Sequence, residues 1–225
     1  FPYILDNLNL KILKDSLKEN QVLIIGATRF ENNKYYNSLI SITKSKVNYF
    51  DKKILVPFGE FLPLRDSLNF LERIVGPNNF SNGNEQRLIN LPNNISFIPV
   101  ICYEIVFYWK LLNKLNYNSN FIINITNDFW FGKYIGPYQH FYLTKIRAAE
   151  FNKPIIRVSN NGISAVINNK GSIIKNTELN NTEKFKYKLY LQENINFVNL
   201  HLILKIYFLI IFLLITFYYL RKNVE

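Results

Sequence analysis

Cys102 is the residue on which reactive chemistry in this chain would turn. It is the only cysteine, and it closes an apolar run over residues 95–101 before Tyr103 and Glu104. A thiol at the point where a buried strand gives way to a helix stands at the sheet edge. The backbone N–H groups that follow can then meet a developing oxyanion. A lone cysteine in an apolar run is more often a small buried hydrophobe, so the nucleophile reading needs partners. Lys52, Lys53 and Glu60 are candidates. They lie in a stretch that Pro57, Gly59 and Pro63 deny regular structure, and shaped loops often carry function. Lysines taken alone are mostly solvated. Asn127 and Asp128 directly follow another apolar run and precede Phe129, Trp130 and Phe131. They make a pocket wall with Trp130, or else an Asx turn with aromatics over the core, and Tyr103 and Glu104 are further pocket candidates.

The surrounding pattern supplies elements to position these groups. Apolar spacing predicts a surface helix over 8–17 and a strand buried on both faces over 21–27. Alternation predicts a hairpin of strands 36–42 and 46–50. A helix over 63–75, a loop over 76–85 and an edge strand over 87–91 follow. The strand at 95–101 leads through Cys102 into a helix from Glu104. A buried strand over 121–125 precedes a helix over 136–150, with Tyr142, Ile146 and Ala149 on its apolar face and Lys145, Arg147 and Glu150 on a solvated one. A strand over 155–158, a hairpin of 164–167 and 172–174 about an Asn-Asn-Lys-Gly turn, and a last strand over 185–191 complete the domain. Short strands mixed with helices point to a layered α/β or α+β domain.

Composition sets bounds. The chain has 225 residues, 48% of them hydrophobic and 16% aromatic, enough for one full core and an appendage. A single cysteine and two histidines leave no cysteine-rich or multi-histidine metal site, and no Gly-rich phosphate loop is present. The net charge of +11 suits an anionic partner, but the lysines are spread out, with no basic cluster interleaved by aromatics. The chain begins with Phe1 and has no methionine, which reads as a fragment or a processed chain.

From 200 to 220 the composition changes. Residues 206–220 carry no charge, and a helix over 200–220 is about 30 Å long, enough to span a bilayer. Lys205 can snorkel at one end, while Tyr218 and Tyr219 precede Arg221 and Lys222 at the other. The positive-inside rule places that second end in the cytoplasm and the globular part outside the inner membrane. The expected organisation is a domain over 1–192, a linker over 193–199, a transmembrane helix over 200–220 and a cytoplasmic tail over 221–225.

Several runs, in order, resemble one family. They are Leu-Val-Pro-Phe-Gly-Glu over 55–60 with Phe50 and Lys52 ahead of it, and Cys102 with Tyr103 and Glu104. Asn-Ile-Thr-Asn-Asp-Phe-Trp-Phe-Gly over 124–132, Gly-Pro-Tyr-Gln-His over 136–140, Arg-Ala-Ala-Glu over 147–150 and Asn-Asn-Gly-Ile-Ser-Ala over 160–165 follow. The chain is similar to the C-terminal part of the apolipoprotein N-acyltransferases, of the nitrilase (carbon–nitrogen hydrolase) superfamily. The resemblance implies an αββα sandwich, N-terminally incomplete, followed by a membrane helix. It implies acyl transfer from a phospholipid to the N-terminal amine of a diacylglyceryl-cysteine lipoprotein, through a cysteine thioester and without metal or cofactor. In the family's Glu-Lys-Cys triad the nucleophile falls on Cys102 and the lysine on Lys52, where it would stabilise thiolate and oxyanion. A further glutamate falls on Glu60. The general-base glutamate lies in a Trp-Pro-Glu segment that is absent here and is expected just upstream of Phe1, in the same chain or in a partner polypeptide from a split gene. The alternatives are a nitrilase-type amide hydrolase and an inactive, membrane-anchored remnant. The implied partners are a phospholipid, an apolipoprotein and the bacterial inner membrane, with the domain periplasmic and no nucleic acid.

Overall fold

The computed structural model describes residues 4–65, 67, 79–113, 115–191 and 200–222, with backbone alone at 7, 200–204, 218–220 and 222. The chain divides into two units, Phe1–Leu191 and Gln192–Glu225.

The first unit is layered as its apolar patterns demand. Helix α1 (Asn7–Asp15) starts at Asp6, whose side chain accepts from the Asn9 N–H at 2.7 Å, a standard N-cap. Its Leu10 and Leu13, with Leu17 just beyond it, pack on Ala27, Ile40 and Ile42 of an antiparallel sheet. That sheet is β1 (Leu23–Glu31), β2 (Lys34–Ile42) and β3 (Val47–Asp51), in that order. Its opposite face, with Leu39 and Phe50, meets Phe97, Ile101, Phe121 and Ile123 of a second sheet.

The second sheet has the order β4 (Ile89–Asn90), β5 (Ser96–Ile101), β6 (Phe121–Asn127), β7 (Ile155–Asn160), β8 (Ala165–Ile167) and β9 (Ile173–Asn176). β5, β6 and β7 run parallel, and the edges are antiparallel. Ile98, Val100, Ile122 and Ile155 point away from the first sheet and pack with Phe141, Ala148 and Phe151 of helix α2 (Ile135–Phe151). β5 and β6 are therefore covered on both faces, which is why they read as unbroken apolar runs. The layers are helix, sheet, sheet, helix.

The hairpins 36–42/46–50 and 164–167/172–174 form as expected, as β2–β3 and β8–β9. Four expectations are corrected. The 21–27 strand is not buried on both faces: β1 is an edge strand of mostly half-buried residues. It hairpins with β2 through Asn32 and Asn33, both at positive φ, as a two-residue primed turn requires. The helix expected after the cysteine is replaced by two short 3-10 helices, Cys102–Val106 and Tyr108–Lys110, because the Glu104 side chain folds back onto the Ile101 N–H. Residues 185–191 form no strand, although Leu189 and Leu191 pack on the inter-sheet core.

The fourth concerns the buried face of α2. It carries Pro137, His140, Phe141, Thr144, Arg147, Ala148 and Phe151, while Tyr142 is exposed. Polar residues on the inner face displaced the hydropathy signal. The predicted edge strand shrinks to β4, and the predicted helix over 63–75 and linker over 193–199 fall largely or wholly outside the described residues.

In the second unit, helix α3 spans Leu200–Lys222. Its side chains are described only over 205–217 and at 221. Among the described residues, no helix is long and apolar enough to cross a membrane.

Candidate functional site

The parallel register places the C-terminal ends of β5, β6 and β7 side by side, with Ile101 opposite Ile125 and Asn127 opposite Asn160. Cys102, Asp128 and Asn161 are the next residues after these strands. Open α/β sheets bind ligands at that edge.

Cys102 is partly exposed and has φ of +52°. A side chain in this left-handed region costs on the order of 1–3 kcal/mol. The strain lifts the residue out of the strand direction as the chain enters the 3-10 helix. A cysteine that was merely filling core would have no need of it.

Lys52 follows β3. Its backbone N–H donates to the Asn37 carbonyl at 2.8 Å, and its own carbonyl accepts from the Gly83 N–H at 2.9 Å. Gly83 has no room for a side chain, since a Cβ would lie 2.3 Å from the Asp51 carbonyl oxygen. The Lys52 side chain is 1% exposed, and its Nζ donates to both Glu60 oxygens at 2.7 Å. Glu60 also accepts from Asn37 Nδ2 and the Val56 N–H, each at 2.8 Å. The loop over 52–62 thus closes on its own glutamate, which fixes the direction of the lysine.

Glu104 is not a pocket-lining residue but is fully buried. Arg87 donates to it twice, from Nη1 at 2.8 Å and Nη2 at 2.7 Å. The N–H groups of Lys53 (2.9 Å), Ile54 (3.2 Å) and Ile101 (2.9 Å) complete its shell. One carboxylate therefore holds the residue after Lys52 and the residue before Cys102.

Asp128 is likewise buried. It accepts from Arg157 Nη2 (2.6 Å), Ser159 Oγ (2.9 Å) and Thr126 Oγ1 (3.0 Å), and lies 2.8 Å from His140 Nδ1. Burial by itself raises its pKa. The His140 hydrogen bond, the charges of Arg157 and His140, and the Ser159 hydroxyl outweigh that and bring it down to about 2. Gly162 makes the arrangement possible, because a Cβ there would lie 2.0 Å from Asp128 Oδ2. The Asn-Asp and Asn-Asn-Gly runs thus meet in space. Asn127 is exposed and accepts from the Phe129 N–H at 3.3 Å, the Asx geometry. Phe129 and Trp130 are exposed rather than covering the core, and Tyr103 is partly exposed against Phe107, Phe131 and His140.

Sequence reasoning missed Arg87, His140 and Arg157. Arg87 and Arg157 sit in or next to strands and were read only as part of them. His140 stood in view within the Gly-Pro-Tyr-Gln-His run and was weighed only as a metal ligand. Among the described residues, no group of three or more His, Cys, Asp or Glu side chains could hold a metal.

The sequence profile of carbon-nitrogen hydrolases matches residues 5–189. The chain belongs to the carbon-nitrogen hydrolase family. Among curated relatives, an apolipoprotein N-acyltransferase of Rhizobium leguminosarum bv. trifolii (strain WSM2304) is 41% identical over 194 residues, covering 80% of this chain and 36% of that protein. One from Brucella suis biovar 1 (strain 1330) is 40% identical over 188 residues, covering 76% and 35%. The chain thus spans about a third of the length of these relatives.

Two solved structures share the nitrilase-like α/β fold of this carbon-nitrogen hydrolase. The glutamine-dependent NAD+ synthetase of Acinetobacter baumannii superposes with a TM-score of 0.60 at 17% identity, covering 78% of this chain and 32% of that one. Saccharomyces cerevisiae Nit3, a member of the nitrilase superfamily, gives 0.55 at 19% identity, covering 77% and 62%.

Two substitutions probe the scaffold. Glu104→Gln turns an amide NH2 toward donors and leaves the buried Arg87 charge uncompensated. A loss of about 3–5 kcal/mol is expected in urea unfolding of residues 1–191 monitored by tryptophan fluorescence. Asp128 has a folded pKa of about 2, below the ordinary carboxylate range. Its stabilisation is therefore present above about pH 4 and is lost as pH falls through 2, an effect on the order of 2 kcal/mol. Asp128→Asn should flatten the acid limb of stability against pH over that window.

Proposed function

We propose that this chain is the C-terminal part of an apolipoprotein N-acyltransferase, which moves an acyl chain from a phospholipid to the N-terminal amine of a diacylglyceryl-cysteine lipoprotein. The observation that carries the reading is the strained Cys102 at the end of β5, coupled through Glu104 to the loop of the buried Lys52–Glu60 pair. The relatives bearing that name support it over four-fifths of the chain.

In this reading the Cys102 thiolate attacks the phospholipid ester carbonyl. The tetrahedral intermediate expels the lysophospholipid alkoxide, which takes up a proton, and a thioester remains. The lipoprotein amine then attacks the thioester, the thiolate leaves, and the amide nitrogen loses a proton. Lys52 stabilises the thiolate and the oxyanion, assisted by the backbone N–H after Cys102. Glu60 orients Lys52. A general base supplied from outside residues 1–225 takes the thiol proton and later the amine proton. The exposed Phe129, Trp130 and Tyr138 are assigned to the lipid side of the site.

α3 is assigned as the membrane anchor. Residues 206–217 carry no charge, and large apolar side chains on all sides of the helix are exposed. By the positive-inside rule, Arg221 and Lys222 favour assigning the C-terminal end of α3 to the cytoplasm and the hydrolase-fold domain to the periplasm.

The chain, co-expressed with a segment that carries a Trp-Pro-Glu glutamate, should take up label from an alkyne-tagged phospholipid as a hydroxylamine-sensitive thioester. Cys102→Ala should abolish the label, and Lys52→Ala should lower its rate by at least about 100-fold, the scale of losing one oxyanion donor. Label that persists in Cys102→Ala refutes the nucleophile assignment. Release of ammonia from small amides without lipid labelling would point to an amide hydrolase instead. A reporter fused after Glu225 should be active in the cytoplasm; periplasmic activity reverses the orientation.

A further inference from the structure

We infer that His140 is a positioning residue for the nucleophile, acting through the Cys102 backbone carbonyl. The inference rests on the reading of Cys102 as the reactive thiol. His140 Nε2 lies 3.3 Å from the Cys102 carbonyl oxygen. A carbonyl only accepts, so this contact is a hydrogen bond in the ring form that carries a hydrogen on Nε2. The residue whose carbonyl is held is the same one that adopts φ of +52°, and an ordinary strand residue would relax from that conformation.

The ring is itself held. It is 2% exposed, with Nδ1 2.8 Å from Asp128 Oδ1 and 3.2 Å from Arg157 Nη2. The Phe131 ring packs at 4.9 Å between centroids and the Tyr103 ring at 6.3 Å. Arg157 is fixed in turn by the Ile163 carbonyl, Asn124 Oδ1 and Thr144 Oγ1. A chain of buried bonds thus runs from β6, β7 and α2 to the nucleophile's backbone. It uses none of the residues that hold Lys52 and Glu60. The thiol is aimed by one network and the lysine by another, and His140 is the last link of the first. Core filling does not require an N–H aimed at this carbonyl.

Cys102 is the only cysteine, so its alkylation by iodoacetamide reports on the elbow without needing acyl transfer. In the full 225-residue chain in detergent, His140→Phe keeps a planar ring and drops the donor, whereas His140→Gln keeps a donor that can reach the carbonyl. At matched folding, judged by the thermal midpoint, His140→Phe should slow alkylation at least fivefold, and His140→Gln should restore it to within twofold of the parent. Equal rates in all three overturn the inference. If His140→Phe does not fold, the comparison passes to His140→Gln against His140→Asn, whose shorter side chain falls short of the carbonyl; equal rates there overturn it as well.

A second readout is spectroscopic. On a His201→Asn background one imidazole remains, and its nitrogen NMR spectrum should show a proton on Nε2. A ring protonated only at Nδ1 refutes the assignment. A chain that alkylates as expected but transfers no acyl group even when a segment carrying the Trp-Pro-Glu glutamate is supplied would refute the proposed function and leave this inference standing.

Discussion

The Glu104 carboxylate is the interaction on which the rest of the site depends. It is fully buried, and a buried charge survives only if every oxygen is met by donors. Here the donors come from three places: the loop after β3, the end of β5, and Arg87 ahead of β4. Arg87 is anchored in its turn by the Pro99 carbonyl at 2.9 Å and by the Phe50 ring at 4.8 Å. One side chain therefore couples the antiparallel sheet, which delivers Lys52, to the parallel sheet, which delivers Cys102. The arrangement behaves as all or none, since removing one partner strands the other as an uncompensated ion.

Around that junction the molecule separates two tasks. Apolar layers supply the driving force for packing, with β5 and β6 sealed between the first sheet and α2. Polar networks at the C-terminal edge of the parallel strands supply direction. Asp128, Arg157 and His140 form one network, and Lys52, Glu60 and Asn37 form the other. Gly162 and Gly83 sit where each network or its loop comes too close to backbone or carboxylate for a Cβ. Strain at Cys102 is tolerated because the chain on both sides of it is tied down.

Much of the fold was legible from the residues alone where hydropathy and geometry agreed. The apolar run before Cys102, the β2–β3 and β8–β9 hairpins and the bulk of α2 all stood out. Misreadings arose where polar groups are buried. The inner face of α2 carries His140, Thr144 and Arg147, so its apolar stripe looked rotated. Residues 185–191 alternate like a strand but only lay leucines on the core. Glu104 and Asp128 looked like pocket walls because a lone charged residue beside a strand end usually faces solvent. Their burial depends on Arg87 and Arg157, which are distant in sequence.

By itself the sequence determined which residues could react and that short strands mix with helices in a layered domain, while its ordered motifs carried the resemblance that implied the αββα order and the family. The first two follow from side-chain chemistry and periodicity along the chain, both of which are local. The tertiary structure decided the left-handed turn of Cys102, the pairing of Lys52 with Glu60, and the roles of Glu104, Asp128 and His140. Each of these depends on which distant donor meets which acceptor away from water. Local pattern carries no record of that, because a buried ion and a solvated one have the same letter.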